Sequence, residues 1–288
     1  MLAIAVVLTG AAALSYWAFK GTPDYYHRPQ LSAQERADAA NRATQKFLGT
    51  STWANDLQAS EHRAILDSAG AGVGATTAPT TSPNQSHTVS FSEHELNALF
   101  EQWSSRIEQT YSKHVRDPAI ALRADRIILV GTVADMGTVA SAHFQPLIDD
   151  QGRLLLTLES VRAGRLPMPE MVWAAQRDRA VAALRARLPM WQAGATIAPN
   201  GVANADAVAA HLSKLLFDLL ARRPREPVLF LPFDPQRPLS SAVPVQLTSV
   251  RVTDGELTLT VESMTPADRA ALLDRIREPV PGATASVQ

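Results

Sequence analysis

Thr88-Val89-Ser90-Phe91-Ser92-Glu93-His94-Glu95-Leu96-Asn97-Ala98-Leu99-Phe100 is where the chain changes character. Ser92 followed by Glu95 spells a capping box: the serine hydroxyl accepts from the N3 amide, and the glutamate carboxylate reaches back to the serine amide. Phe91 before the cap and Leu96 at N4 add a hydrophobic staple. Leu96, Leu99, Phe100, Trp103 and Ile107 then recur at helical spacing, so a helix opens at Ser92 and carries one apolar stripe to about residue 113. The residues before this stretch read as anchor and tether, and those after it as one folded domain.

Upstream, residues 2–19 are apolar or small throughout, interrupted only by Thr9, Gly10 and Ser15. As a helix this run spans roughly 27 Å, enough for a bilayer core, and Tyr16 and Trp17 fall where interfacial aromatics belong. No cation precedes the run, so an uncleaved anchor fits better than a cleaved signal peptide. Lys20, Arg28 and Arg36 come after it, a weak charge bias that would retain the bulk of the chain on the cytoplasmic side. Residues 31–48 read as a helix opened by Ser32 and Glu35, and residues 57–66 as a second; both read as solvated stalk or partner helices. Residues 69–87 are mostly Gly, Ala, Thr, Pro, Ser and Asn, too poor in apolar side chains to bury a core, hence a flexible linker. The expected layout is a transmembrane anchor at 1–20, juxtamembrane helices at 21–68, a disordered linker at 69–88, an α+β domain at 89–280 and a disordered tail at 281–288.

Downstream, Asp117-Pro118 stops the helix. Alternating patterns predict strands near 119–124, 127–133, 138–148 and 153–161, joined by short turns such as Asp149-Asp150-Gln151-Gly152, which implies an antiparallel meander. Pro169 suits the first position of a helix over 169–188, whose polar face carries Arg177, Arg179, Arg185 and Arg187. That face reads as solvated, with an anionic-lipid contact as the rival. A second helix covers about 204–221. Asp254-Gly255 centres a hairpin, and Thr265-Pro266 opens a last helix to about residue 277. The stretch 152–160 matches 255–263 at six of nine positions, which suggests two equivalent edges of one curved sheet.

Composition narrows function mainly by exclusion. The chain has 288 residues, 46% of them hydrophobic, with 27 Lys+Arg against 28 Asp+Glu. A net charge of −1 argues against a polyanion binder, so no nucleic-acid partner is expected. With no cysteine, thiolate metal sites, disulfides and a cysteine nucleophile are excluded. The seven histidines (His27, His62, His87, His94, His114, His143 and His211) show no HExxH or HxH spacing. Glu93, His94 and Glu95 fall in a first helical turn, where acids favour the helix dipole, and Asp149-Asp150 reads as turn chemistry. There is no GxSxG, P-loop or GxGxxG after a strand. No catalytic residue, cofactor or metal is expected. The remaining feature is apolar surface, with Leu96, Leu99, Phe100, Trp103 and Ile107 as the expected lining of an apolar groove. A long cavity there would favour a lipid or acyl-chain site; a filled core would favour a scaffold.

Phe91-Ser92-Glu93-His94-Glu95-Leu96-Asn97-Ala98-Leu99 resembles the T/S-E-x-E-L-N-x-L start of the YpmS-type domain, a bacterial membrane-anchored family of uncharacterised function. Gly152-Arg153-Leu154 continues the likeness, and Gly164-Arg165-Leu166-Pro167-Met168-Pro169 is similar to that family's G-x-L-P-x-P step. The layout also resembles tubular lipid-binding (TULIP-like) envelope proteins. The resemblance implies an α+β fold, with a curved antiparallel sheet on the Ser92 helix, and an extracytoplasmic domain, against the charge bias. It supplies no catalytic residue. The expected function is a single-pass envelope protein that binds or shields a lipid or other apolar ligand without chemistry. The alternative is a scaffold that engages a protein partner through the juxtamembrane helices.

Overall fold

Ser92 ends a strand and caps a helix. Its hydroxyl accepts from the Glu95 amide at 3.2 Å, and the Glu95 carboxylate accepts from the Ser92 amide at 2.9 Å. The capping box forms as its spacing predicts, and Phe91 and Leu96 lie in one apolar cluster, as a staple requires. This computed structural model describes residues 20–26, 31–70, 85–111, 115–134, 137–150, 152–198, 201–220, 226–232 and 241–278. The anchor run at 2–19, most of the expected linker and the expected tail lie outside the described residues. No helix among the described residues is long and apolar enough to cross a membrane.

The fold is α+β. Among the described residues it has five helices: α1 (Ala33–Gly70), α2 (Glu93–Tyr111), α3 (Glu170–Gly194), α4 (Ala205–Leu220) and α5 (Pro266–Arg277). The strands are β1 (Ser86–Ser92), β2 (Val115–Arg123), β3 (Arg126–Val133), β4 (Thr138–Ile148), β5 (Leu154–Ala163), β6 (Leu166–Pro167), β7 (Ala203–Asn204), β8 (Val228–Pro232), β9 (Ser241–Thr253) and β10 (Glu256–Ser263).

The strands build two five-stranded antiparallel sheets, not the single curved sheet expected. One is the meander β2-β3-β4-β5-β6, which its short turns predict. The other runs β1-β10-β9-β7, with β8 also paired to β9. Its making is a long-range event: β1 pairs with β10 from Ser86 opposite Glu262 to Ser92 opposite Glu256. Nothing local to residues 86–92 announces that partner. The echoing segments consequently lie in different sheets, β5 in the meander and β10 in the second sheet.

Two hairpin tips stitch the sheets together. The Gly255 amide donates to the Leu122 carbonyl at 3.1 Å, the Asp125 amide to the Val252 carbonyl at 3.0 Å, and the Ala124 amide to the Asp254 carboxylate at 3.0 Å. Gly255 has φ +81, a left-handed conformation that glycine adopts without Cβ strain and that the Asp254-Gly255 turn needs. Asp117-Pro118 is not a simple stop. β2 already starts at Val115 and passes Asp117 (φ 52) as an irregularity, with the register shifting between Arg116 and Ala119.

Upstream of the domain the sequence predicts two stalk helices; the structure has one. α1 runs unbroken over 38 residues and opens with its own capping box between Ser32 and Glu35. It is laid along the domain. Ala39, Ala40, Ala43, Phe47, Thr50, Ser51, Ala54 and Gln58 recur at three- and four-residue steps and therefore share one face. That face packs on α2, where Ala39 and Ala40 meet Ala98, and on β8 and β9, where Ala54 joins Leu231, Val243 and Val245. The helix predicted over 169–188 runs six residues past its expected end, through Pro189 to Gly194. The last helix starts as predicted, with a Thr265–Asp268 capping box and Pro266 at its first position. Lys214, only 5% exposed, donates to the Arg275 and Glu278 carbonyls, placing a cation at the negative end of α5.

Candidate functional site

The first turn of α2 wires three parts of the molecule together. Glu93 turns towards β2, where its carboxylate accepts from the Leu122 amide at 2.8 Å and from Arg123 at 3.0 Å. Asn97, one helical turn on, donates to the Ile120 carbonyl and accepts from the Ile120 amide, both at 2.7 Å. Glu95 faces the other way, to α1, and holds Lys46 at 2.7 Å and Arg42 at 3.6 Å. Burial pushes the Glu95 carboxyl up, but the Lys46 and Ser92 hydrogen bonds and the two cations outweigh it, so its net shift is downward. His94 between them is exposed. Glu93, Glu95 and Asn97 thus each have a structural partner.

The expected groove residues are placed in two ways. Leu99 is 3% exposed and clusters with Ala43 and Phe91, and Leu96 packs on the same group together with Phe47, Val89 and Leu259. Phe47 stacks on Phe91 with ring centres 4.5 Å apart. The Leu96–Leu99 part of the stripe is therefore covered by α1. Phe100 is half-buried. The side chains of Trp103 and Ile107 lie outside the described residues.

α1 is an uneven cover. Its N-terminal half meets α2 with alanines and Phe47. Its C-terminal half puts polar groups against the second sheet: Thr50, Ser51 and Gln58 are each 1% exposed or less. Thr50 returns its hydroxyl to the Lys46 carbonyl, and the Gln58 amide nitrogen donates to the Pro244 carbonyl at 3.1 Å. The Asn55 Oδ1, Gln58 Oε1 and Glu61 Oε2 atoms are buried with no hydrogen-bond partner among the described residues. Each such atom costs roughly 1–3 kcal/mol relative to a paired one. Across the seam, buried Arg269 donates to the Met264 carbonyl; its burial lowers the guanidinium pKa, and Glu61 and Asp268 oppose that shift.

A second polar cluster was not singled out by sequence. Tyr25 lies over the meander, its hydroxyl sharing hydrogen bonds with Ser141 Oγ at 2.8 Å and His143 Nε2 at 3.2 Å, while Ser141 and His143 are themselves 3.2 Å apart. The Tyr25 and His143 rings meet edge to face with centres 5.2 Å apart. Burial, then the Arg162 and Arg126 charges, lower the His143 pKa to about 4, with Glu159 opposing, so the ring is neutral near pH 7. The available signal was Ser141-x-His143 in a strand, since residues two apart share a face; nothing marked Tyr25 as the third member. The triangle joins Ser, His and Tyr at hydrogen-bond distance, but Ser141 is 3% exposed and Tyr25 caps it. Its evident work is to hold the segment before α1 on the sheet. Among the described residues no group of three or more His, Asp or Glu side chains is arranged to hold a metal ion.

No family model matches the chain. No curated protein and no solved structure matches it either.

Proposed function

We propose that this chain is a single-pass, membrane-anchored envelope protein whose extracytoplasmic domain binds an apolar ligand such as an acyl chain, without catalysing a reaction. The YpmS-type and TULIP-like resemblance belongs to the same proposal. The ligand seam lies between α1 and the surface formed by Leu96, Leu99, Phe91 and the inner residues of β8, β9 and β10. The observation that carries the reading is the mismatch under α1. The sheet side offers Leu231, Val243, Val245 and Val261, and α1 answers with Ala54, Phe47 and Trp53 interleaved with the polar Thr50, Ser51, Asn55, Gln58 and Glu61. An acyl chain would match that apolar surface better than a helix face that leaves three polar atoms unpaired. α1 is then a displaceable cover for a surface that is filled by the protein itself in the ligand-free state.

The absence of cysteine makes the test clean. The Ala40→Cys and Ala98→Cys pair joins two touching residues of α1 and α2. The detergent-extracted full chain, titrated with a fluorescent fatty acid, should bind when this pair is reduced and lose binding when it is oxidised. Absence of binding in both states would sink the reading; equal binding in both would place the ligand elsewhere. The filled surface under α1 is what the scaffold alternative expects; against it, α1 uses its apolar stripe internally and turns Arg36, Asp38, Asn41, Arg42, Asp56 and Arg63 to solvent, which leaves a protein partner a polar face.

A further inference from the structure

The segment immediately after the apolar run is tied to the meander from its first described residue. Lys20 donates to the Gly137 carbonyl at 3.2 Å. Arg165 reaches the Thr22 carbonyl at 3.4 Å and pairs with Asp24 at 2.9 Å. Tyr25 docks on Ser141 and His143, its carbonyl accepts from Arg123 at 3.4 Å, and Tyr26 donates to the Asp117 carbonyl at 3.0 Å. A juxtamembrane segment that only tethered would leave such groups to water. This one runs over the sheet from the β3–β4 turn to the middle of β4.

We propose that the domain sits directly on the bilayer, with the β3–β4 and β5–β6 ends of the meander as its contact face for the lipid headgroup layer. The inference rests on residues 2–19 being the anchor, as in the function proposed above. Lys20 is the next residue after that run, and consecutive Cα atoms are only about 3.8 Å apart. Gly137, at the β3–β4 turn, is bonded to Lys20, and Arg165, at the β5–β6 turn, to Thr22 and Asp24, so both turns are held within a few residues of the membrane exit. The opposite ends of the same hairpins, at Asp125 and Asp150, point away. β4 spans 11 residues, and at about 3.3 Å per residue this sets its two ends roughly 35 Å apart. The near end exposes Lys20, Arg116 and Arg165, balanced by Asp24, Asp117 and Glu170. Beside it, α3 begins three residues after β6 and presents Met171, 83% exposed. A charge-balanced edge with an exposed apolar side chain, held next to the membrane exit, suits the boundary between headgroups and acyl chains.

Single cysteines can be placed in the cysteine-free chain at Pro167, exposed near the β5–β6 turn, and at Asp150, exposed at the far end. Pro167→Cys and Asp150→Cys full-length proteins are labelled with an environment-sensitive fluorophore and reconstituted in phosphatidylethanolamine–phosphatidylglycerol vesicles. The Pro167 label should be quenched several-fold more by spin-labelled lipid than the Asp150 label, and the Asp150 label more by aqueous iodide. Equal iodide access at both positions, in protein that resists alkaline extraction, overturns the orientation while leaving the anchor standing. Release of the protein by alkaline extraction overturns the anchor, and the bilayer-facing orientation with it.

Discussion

Asn97 pairs with Ile120 as though it were a residue of a neighbouring strand. Its side-chain amide both donates to and accepts from one backbone unit of β2, at 2.7 Å in each direction, and also donates to the Glu93 carbonyl at 2.9 Å. A helix thereby closes the edge of a sheet that would otherwise present unpaired groups. Asn97→Ala leaves the Ile120 amide and carbonyl without that partner. From roughly 1–3 kcal/mol per unpaired buried group, the expected loss is about 2–4 kcal/mol, read by urea unfolding monitored by circular dichroism. Asn97→Asp keeps the acceptor but sets a carboxylate against the Ile120 carbonyl, so it should also destabilise at pH 7. A variant within experimental error of wild type would show that the pairing contributes nothing net.

His143 gives the fold an acid-side weakness. Its folded pKa of about 4 lies below the ordinary value of 6.5, so the unfolded chain takes up the proton first. The stability contributed by the neutral ring is whole above about pH 6.5 and is lost as pH falls towards 4. His143→Gln does not titrate and keeps a polar partner for Ser141 and Tyr25. The difference in unfolding free energy between wild type and this variant should change between pH 7 and pH 4.5, with wild type losing more; parallel pH profiles would count against the assignment. Tyr25→Phe should leave the pH slope in place and increase proteolysis within residues 20–30.

Glu95 couples the capping box of α2 to α1. Its lowered pKa means that the carboxylate supports folding above the ordinary value of 4.5, and that this support is lost as pH falls through the lower folded value. Glu95→Gln retains a weaker cap and removes the charge facing Lys46 and Arg42. The expected cost is about 1–2 kcal/mol. Hydrogen exchange should show faster opening at α1 residues 42–50 than in the meander. Uniform acceleration across both would mean that Glu95 acts on global stability alone.

Local chemistry was the legible part of this chain. Ser92–Glu95, Ser32–Glu35 and Thr265–Asp268 each place a donor and an acceptor three residues apart, and all three boxes form. The meander and the Asp254-Gly255 hairpin arise from period-two patterns with short turns. Legibility fails where the partner is far along the chain. β1 finds β10 about 170 residues away, and only that pairing divides the strands into two sheets. α1 read as a stalk because its buried face is alanine, threonine, serine and glutamine, a composition equally suited to solvent. The helical spacing puts Leu96 and Leu99 on one apolar stripe, but nothing near them in the chain says which element covers it. Tyr25 had no local mark at all, since its role comes from Ser141 and His143, more than a hundred residues on.

Gly201 and Gln58 test how closely α1 is fitted. Gly201 has φ +87, and a Cβ built there would lie 1.7 Å from Gln58 Oε1, an atom already buried without a hydrogen-bond partner among the described residues. Gly201→Ala therefore carries two penalties, a left-handed backbone for a residue with a Cβ and a collision with α1. The colliding atoms are the far end of the Gln58 side chain, so the cost is that of turning it aside and losing its bond to the Pro244 carbonyl, about 1–2 kcal/mol. Gln58→Ala removes the collision and the unpaired oxygen while giving up the bond to the Pro244 carbonyl. In the double variant the backbone penalty persists and the collision does not, so the two changes should be less than additive, with a coupling of about 1–2 kcal/mol. If α1 is the displaceable cover proposed above, Gly201→Ala should also raise fatty-acid binding in the full chain, because the collision part of its cost falls only on the closed arrangement. Additive effects on stability would separate Gly201 from Gln58, and unchanged binding in a clearly destabilised variant would separate the cover from the ligand.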